Sequence, residues 1–384
     1  MNPLSKRRIA LGSMFFFVGL CFSSWAARIP DIQVKFQLSE GQLGTLLLFL
    51  PLGSVIGLPI AGWAVYQYGS RNVILFGSFA YAMTFPLIGL SPTTWAIIPV
   101  LILYGMLGNI MNISLNTQAL DLEDHMGKSI LASFHGLWSM AGFIGAGLGA
   151  GMIFLGVSPS LHYGIVMLIS IVIVLSAQRY IAREEKASEG GGLVLTRPDD
   201  LLLRISLIAF LAMMAEGCMF DWSGVYFKKV VQADPSLIAL GYVAFMGSMA
   251  AGRFMTDKVT HRFGKVAVIQ VSGLLISIGL TLSVFWPTVL IATIGFLFVG
   301  FGVASLIPVS YSIAGRSKLY SPSVALSLVS TISFFGFLIG PPLIGFIADL
   351  FNLKISFALI ALNGFGIFLL SSIRKKVFLI PSQS

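Results

Sequence analysis

The sequence predicts an all-α membrane protein in which twelve transmembrane helices form two pseudo-symmetric six-helix halves. Three observations carry this expectation. The 384 residues are 57% hydrophobic and only 10% charged, a balance that excludes a water-soluble globular domain. Apolar windows of about 20 residues, the length that crosses a bilayer core of about 30 Å, recur twelve times between charges or Gly, Pro and Asn punctuation. The first six windows also match the last six at a nearly constant spacing.

The windows run over 8–30, 40–66, 72–91, 94–120, 129–156, 160–180, 202–227, 236–257, 265–285, 288–314, 322–349 and 353–373. The first mimics a cleaved secretory signal, because Lys6-Arg7-Arg8 precede an apolar run that ends in the small residues of SSWAA. Eleven further spans follow, and an uncleaved first helix does the same targeting work, so the segment is expected to be retained. Loop charge sets the orientation. Lys6, Arg7, Arg8, Arg71, Lys128, the cluster from Arg179 to Arg204, Lys258, Arg262, Lys265, Arg316, Lys318 and Arg374 to Lys376 collect on the side of the termini. The opposite side has Arg28, Lys35, Lys228, Lys229 and Lys354. Both termini are therefore expected in the cytoplasm, and the net charge of +9 expresses this bias rather than a nucleic-acid surface. Cys21 and Cys218 both fall inside spans, where a thiol is a small apolar filler.

The longest polar interruption, Arg179 to Asp200, contains REEKASEGGG and divides the spans six and six. Its composition fits a flexible linker, which gives an N-terminal bundle over 1–182, a cytoplasmic linker over 183–200 and a C-terminal bundle over 201–384. Trp25 matches Trp222, Cys21 matches Cys218, and Leu43-Gly44 matches Leu240-Gly241, all at an offset of 197. Gly57, Gly62 and Gly69 fall on Gly252, Asp257 and Gly264 at 195, and Gly142-Phe143 and Gly151 on Gly336-Phe337 and Gly345 at 194. Such a register held over about 130 residues marks a duplication. In duplicated transporters the substrate site lies near the membrane midplane between the repeats.

Two six-helix halves, a tight loop after the second and eighth spans and glycine-rich fifth and eleventh spans resemble the major facilitator superfamily along essentially the whole chain. The loop GRFMTDKVTHRFGK, from Gly252 to Lys265, is similar to the family's G-x-x-x-D-R/K-x-G-R/K signature with a lengthened middle. Its N-terminal copy, GWAVYQYGSR from Gly62 to Arg71, keeps both glycines and the final Arg but has Tyr66 at the place of the family's acid. SSWAARIPDI, NISLNTQA, SFHGLWSMAG and GFLIGPPLIGFIAD resemble a bacterial inner-membrane branch close to fucose permeases, also described as bypass-of-stop-codon-like. The resemblance implies a secondary transporter of the bacterial inner membrane that works as a monomer by alternating access. Because fucose permeases are proton symporters with membrane-embedded acids, it also implies coupling to protons.

Charged side chains near the bilayer centre are costly and normally face a wet cavity. Glu216 lies twelve residues beyond Arg204, a depth of roughly 18 Å at 1.5 Å per residue. Asp221, five residues further on, is turned roughly 140° away on a regular helix. Desolvation favours the neutral form of a carboxylate, so Glu216 is expected to carry the coupling proton while Asp221 relays it or contacts substrate. For each acid the competing reading is a purely structural hydrogen bond. His135, with Trp138 and Ser139 one turn away, is a third proton-handling candidate and a candidate member of a polar and aromatic wall; a neutral His bonded to a neighbouring helix is the alternative.

Asn109, Asn112 and Asn116 at i, i+3 and i+7 place three amides on one helical stripe. Their counterparts Val303, Leu306 and Ser310 are not amides, which favours a cavity lining over helix packing. Trp25 and Trp222 are candidates to stack on a solute, or else belong to an interfacial aromatic belt. Arg28 is a candidate to bind an anion or to pair with Asp31 or Asp221; snorkelling to the interface is its plain alternative. Gly62, Gly69 and Arg71 in one loop, and Gly252, Arg253, Asp257, Arg262 and Gly264 in the other, are conformational candidates, with an Arg253–Asp257 pair expected as a lock. Gly142, Gly336, Gly340, Pro341 and Gly345 are expected pivots where helices approach and bend.

The chain has no phosphate-binding loop. Its four histidines, His125, His135, His162 and His261, are dispersed without metal spacing, so neither a cofactor, a metal nor an enzymatic centre is expected. Amides and tryptophans favour a small polar solute such as a sugar or polyol. The acids leave open proton-driven efflux of cationic amphiphiles, and the fold leaves open a lipid flippase or a substrate sensor.

Overall fold

Asn2 opens the first helix by accepting a hydrogen bond from the Leu4 amide at 3.2 Å, with Pro3 pre-set for the first turn. From there the computed structural model describes residues 2–127, 130–182, 198–317, 319–320 and 322–372. In chain order the helices are α1 (Pro3–Ala26), α2 (Ile29–Lys35), α3 (Glu40–Tyr68), α4 (Ser70–Leu90), α5 (Thr94–Met126), α6 (Leu131–Phe154) and α7 (Pro159–Ala177), the last closing in a 3₁₀ turn at Gln178–Tyr180. After residue 198 come α8 (Asp200–Lys229), α9 (Leu240–Phe263), α10 (Lys265–Phe285), α11 (Val289–Ala314), α12 (Pro322–Leu350) and α13 (Leu353–Ser372). All but the short α2 are long and apolar enough to cross a membrane, which gives twelve spans among the described residues.

Two boundaries differ from the sequence expectation in ways that matter. The apolar pattern extends the first span to residue 30, but α1 stops at Ala26 and the chain turns at Ala27-Arg28 into α2, whose first turn holds Pro30. The same pattern ends the eighth near residue 257. Instead α9 continues through the polar run to Phe263 and stops at Gly264, whose φ of +81° excludes a routine L-side-chain conformation. Gly69 ends α3 in the same way with φ +76°. Most of the expected linker, residues 183–197, lies outside the described residues, as do Lys128, Lys318 and Arg374 to Lys376.

The described chain groups into two compact units. One holds the residues up to Ala182 apart from Ser39–Gly44, and the other holds Ser39–Gly44 with the residues from 198 onward. Within the first, α1 packs on α5, α6 and α7, and α4 on α5 and α7. Within the second, α8 packs on α9, α11, α12 and α13, and α10 on α11 and α13. The glycine-rich fifth and eleventh spans thus lie against the first and seventh. Gly336 of α12 sits so close to the Phe210 carbonyl of α8 that no Cβ fits, which is how small residues let membrane helices approach. Pro341 and Pro342 lie within α12, where Gly340 faces Met214 of α8, and Gly142 accepts a hydrogen bond from Ser23 of α1 at its carbonyl.

Candidate transport site

The centre of α8 carries the feature with most chemical consequence. Glu216 is sixteen residues from Asp200 and thirteen from Lys229, roughly 20 Å or more from either helix end. It is 5% exposed. Arg253 Nη2 donates to Glu216 Oε1 at 3.0 Å. The sequence reading sets Arg253 at the end of its span, in a lock with Asp257. Because α9 runs on to Phe263, Arg253 instead stands mid-helix and reaches across to α8, while Asp257 is exposed. The pair satisfies the acid with a charge-assisted hydrogen bond, and this is how a buried ion is tolerated.

Asp221, 9% exposed, is in a different position. It makes no hydrogen bond or ion pair with any described residue. Its neighbours in sequence are apolar or buried: Phe220 packs edge-on against Phe245 and Phe337, and Trp222 is fully buried.

In the first unit the amides of α5 are partly linked to one another. Asn116 Nδ2 donates to the backbone carbonyl and side-chain Oδ1 of Asn112, at 2.9 and 3.1 Å. Asn109 Oδ1 and Asn116 Oδ1 are buried and accept no hydrogen bond from the described residues. The stripe borders α3, where Gly57 lies against Asn109, while Met106, Ile110 and Ile113 pack on Ala61 and Val73 of α3 and α4.

Arg28 is buried at the turn between α1 and α2 and is fully engaged within its unit. It donates to Asp31 Oδ2 at 3.0 Å, to the Val157 carbonyl at 2.8 Å and to His162 Nδ1 at 3.1 Å. It therefore neither snorkels nor pairs with Asp221; it ties the α1–α2 turn to the start of α7. His162, which no sequence signal singled out, is the residue the tertiary fold adds here. Trp25 and Trp222 are 1% and 0% exposed, so neither ring offers a face to solute or forms an interfacial belt. They fill repeat-related core positions, each four residues after a buried cysteine. Ser139 is buried and donates back to the His135 carbonyl. His135 lies edge-on to Phe15, and Trp138 lies beside Phe22, so both rings pack against α1. Arg71 donates to the carbonyls of Ile181 and Gln178, at 3.2 and 3.5 Å, and Arg262 lies over the Phe263 ring. Gly62 has open space around it, and Gly252 packs against Ala304 of α11; Gly345 also allows no Cβ.

Twelve apolar helices in two units, with charge held in their interiors, define a polytopic membrane carrier. The chain matches the Major Facilitator Superfamily over residues 11–318 and again over 205–378, and it belongs to that family. It is 30% identical over 364 residues to an uncharacterised MFS-type transporter of Yersinia pestis, covering 94% of both chains. It is 31% identical over 353 residues to the membrane protein MosC of Rhizobium meliloti, covering 91% of this chain and 85% of that one. The crystal structure of the nucleoside transporter NupG shares the fold with a TM-score of 0.71 at 13% identity, covering 99% of this chain and 100% of NupG. The protein is thus an integral membrane transporter and not an enzyme.

Proposed function

We propose that the protein is a secondary active transporter of a small, neutral, polar solute of the sugar or polyol class, driven by protons and working by alternating access. The observation that carries the solute class is the α5 stripe. Two buried amide oxygens without partners among the described residues, Asn109 Oδ1 and Asn116 Oδ1, are an expensive feature unless something supplies donors. A polyhydroxylated solute supplies them in a row, at the spacing of helical turns. A membrane protein that moves nucleosides shares the fold, which agrees with a hydroxyl-rich cargo. The acids of α8 support proton coupling, because ionisable groups inside membrane helices mark relays. The positive-inside bias supports termini in the cytoplasm and a bacterial inner membrane as the location.

The test is counterflow in proteoliposomes with radiolabelled pentoses, hexoses, polyols, nucleosides and lipophilic cations, at about pH 6 and about pH 8. Exchange of a hydroxyl-rich probe, lost in Asn109→Leu and Asn116→Leu, is the expected result. Exchange of the cations alone would move the assignment to efflux.

A further inference from the structure

Resting on the proton-coupled reading above, we propose that the two buried acids of α8 divide the work: Asp221 binds and releases the coupling proton, while Glu216 remains a carboxylate as the fixed partner of Arg253. Depth along the helix, read from sequence, favours the opposite assignment, and the geometry points away from it. A proton carrier must be stable in its neutral form while the site is closed to water. Glu216 already accepts from a guanidinium at 3.0 Å, and protonating it would give up that charge-assisted hydrogen bond.

Asp221 has no such partner. Of the elements packed against α8, α9 carries Tyr242, Arg253, Asp257, Lys258, His261 and Arg262, α11 carries Tyr311, α12 Asp349 and α13 Lys354, and α8 itself holds the Cys218 thiol beside Asp221. Among the described residues only Arg253 lies within ion-pair distance of an acid in the interior of α8, and that acid is Glu216. Asp349 is occupied by the Ser39 hydroxyl, and Lys229, at the end of α8, pairs with Glu40. A bare carboxylate in this setting is far costlier than a neutral carboxylic acid.

The internal repeat gives an independent reason. At the offset of 197, Asp221 falls on Ser24, whose hydroxyl is fully buried and has no partner among the described residues. The first half thus holds a neutral polar group at this place without a bonded partner. A protonated Asp221 is the second half's version of the same group, with one difference: its O–H can dissociate. In the cycle the Asp221 O–H bond breaks to water on one side of the membrane and re-forms from water on the other. No electrons move, and no co-reactant is needed beyond the proton gradient.

The experiment is infrared spectroscopy of the purified protein in lipid nanodiscs near pH 7, with the carboxyl carbons of aspartate or of glutamate labelled with heavy carbon in separate preparations. The expected result is a protonated-carboxyl C=O band that shifts with labelled aspartate, persists in Glu216→Gln and disappears in Asp221→Asn. A band that shifts with labelled glutamate and vanishes in Glu216→Gln overturns the assignment. So does the absence of any protonated-carboxyl band. Labelling reads the unsubstituted protein, so an ill-folded variant does not blunt the test. The readout needs no substrate, so failure of the transport reading is seen separately, in the counterflow assay.

Discussion

At repeat-related positions the first half seats Gly19 and Leu58 where the second seats Glu216 and Arg253, at offsets of 197 and 195. The duplication kept the helices and their close contacts but changed what lies inside. In the first half Gly19 is pressed against the Trp138 carbonyl of α6, a close helix contact. In the second, the same place carries an ion pair between α8 and α9. The first half buries the guanidinia of Arg7, near the start of α1 and paired with Asp121, and of Arg28, which sits at a turn and spends its donors on Asp31, His162 and a backbone carbonyl. One half keeps its buried guanidinia near helix ends; the other holds an ion pair mid-helix, where α8 and α9 must move together if the pair is to survive. A fold shared by both halves therefore does not settle where buried charge resides, and the side chains do.

The sharpest way to break this comparison is at the matched tryptophans. If both are core, Trp25→Ala and Trp222→Ala should each cost about 3–5 kcal/mol, read as parallel losses in denaturant midpoint in detergent micelles. A silent Trp25→Ala with a damaging Trp222→Ala would mean the halves are packed differently. Next in size, Arg253→Gln should cost up to about 3 kcal/mol, because Glu216 loses its partner while buried. The pair of changes Glu216→Gly with Arg253→Leu, which writes the first half into the second, should recover most of that loss. Arg28→Gln should cost about 2 kcal/mol through three lost charge-assisted bonds, with His162→Leu costing about 1 kcal/mol less than that. A larger effect of His162→Leu would show that the ring, and not the guanidinium, organises the corner. The smallest effect separates the glycines. Gly264→Ala, at φ +81°, should cost about 1 kcal/mol, whereas Gly62→Ala, with open space around it, should leave the midpoint unchanged.

Much of the architecture was legible in the residues because lipid imposes a simple demand. Every span must be helical and apolar for about 20 residues, so each window surfaced as a helix, and the register of Cys21–Trp25 with Cys218–Trp222 exposed the duplication. The candidate site was legible only in part. The acids stood out because apolar surroundings make them conspicuous, and Asn109, Asn112 and Asn116 because their spacing is helical. Their partners did not stand out. The continuation of α9 through His261-Arg262-Phe263 moved Arg253 from the edge of a span to its middle and away from Asp257. No local pattern announces that shift, since charged residues at a helix end read equally well as loop.

Sequence by itself determined the membrane class, the count of spans, the two-fold repeat and the identity of the few ionisable groups within them, because composition and period act locally along the chain. Only the tertiary structure decided which of those groups are satisfied. Glu216 and Arg253 are 37 residues apart, and Arg28 and His162 are 134 apart. Such distances are closed by helix packing, and a buried charge acquires its meaning from the partner that packing brings to it.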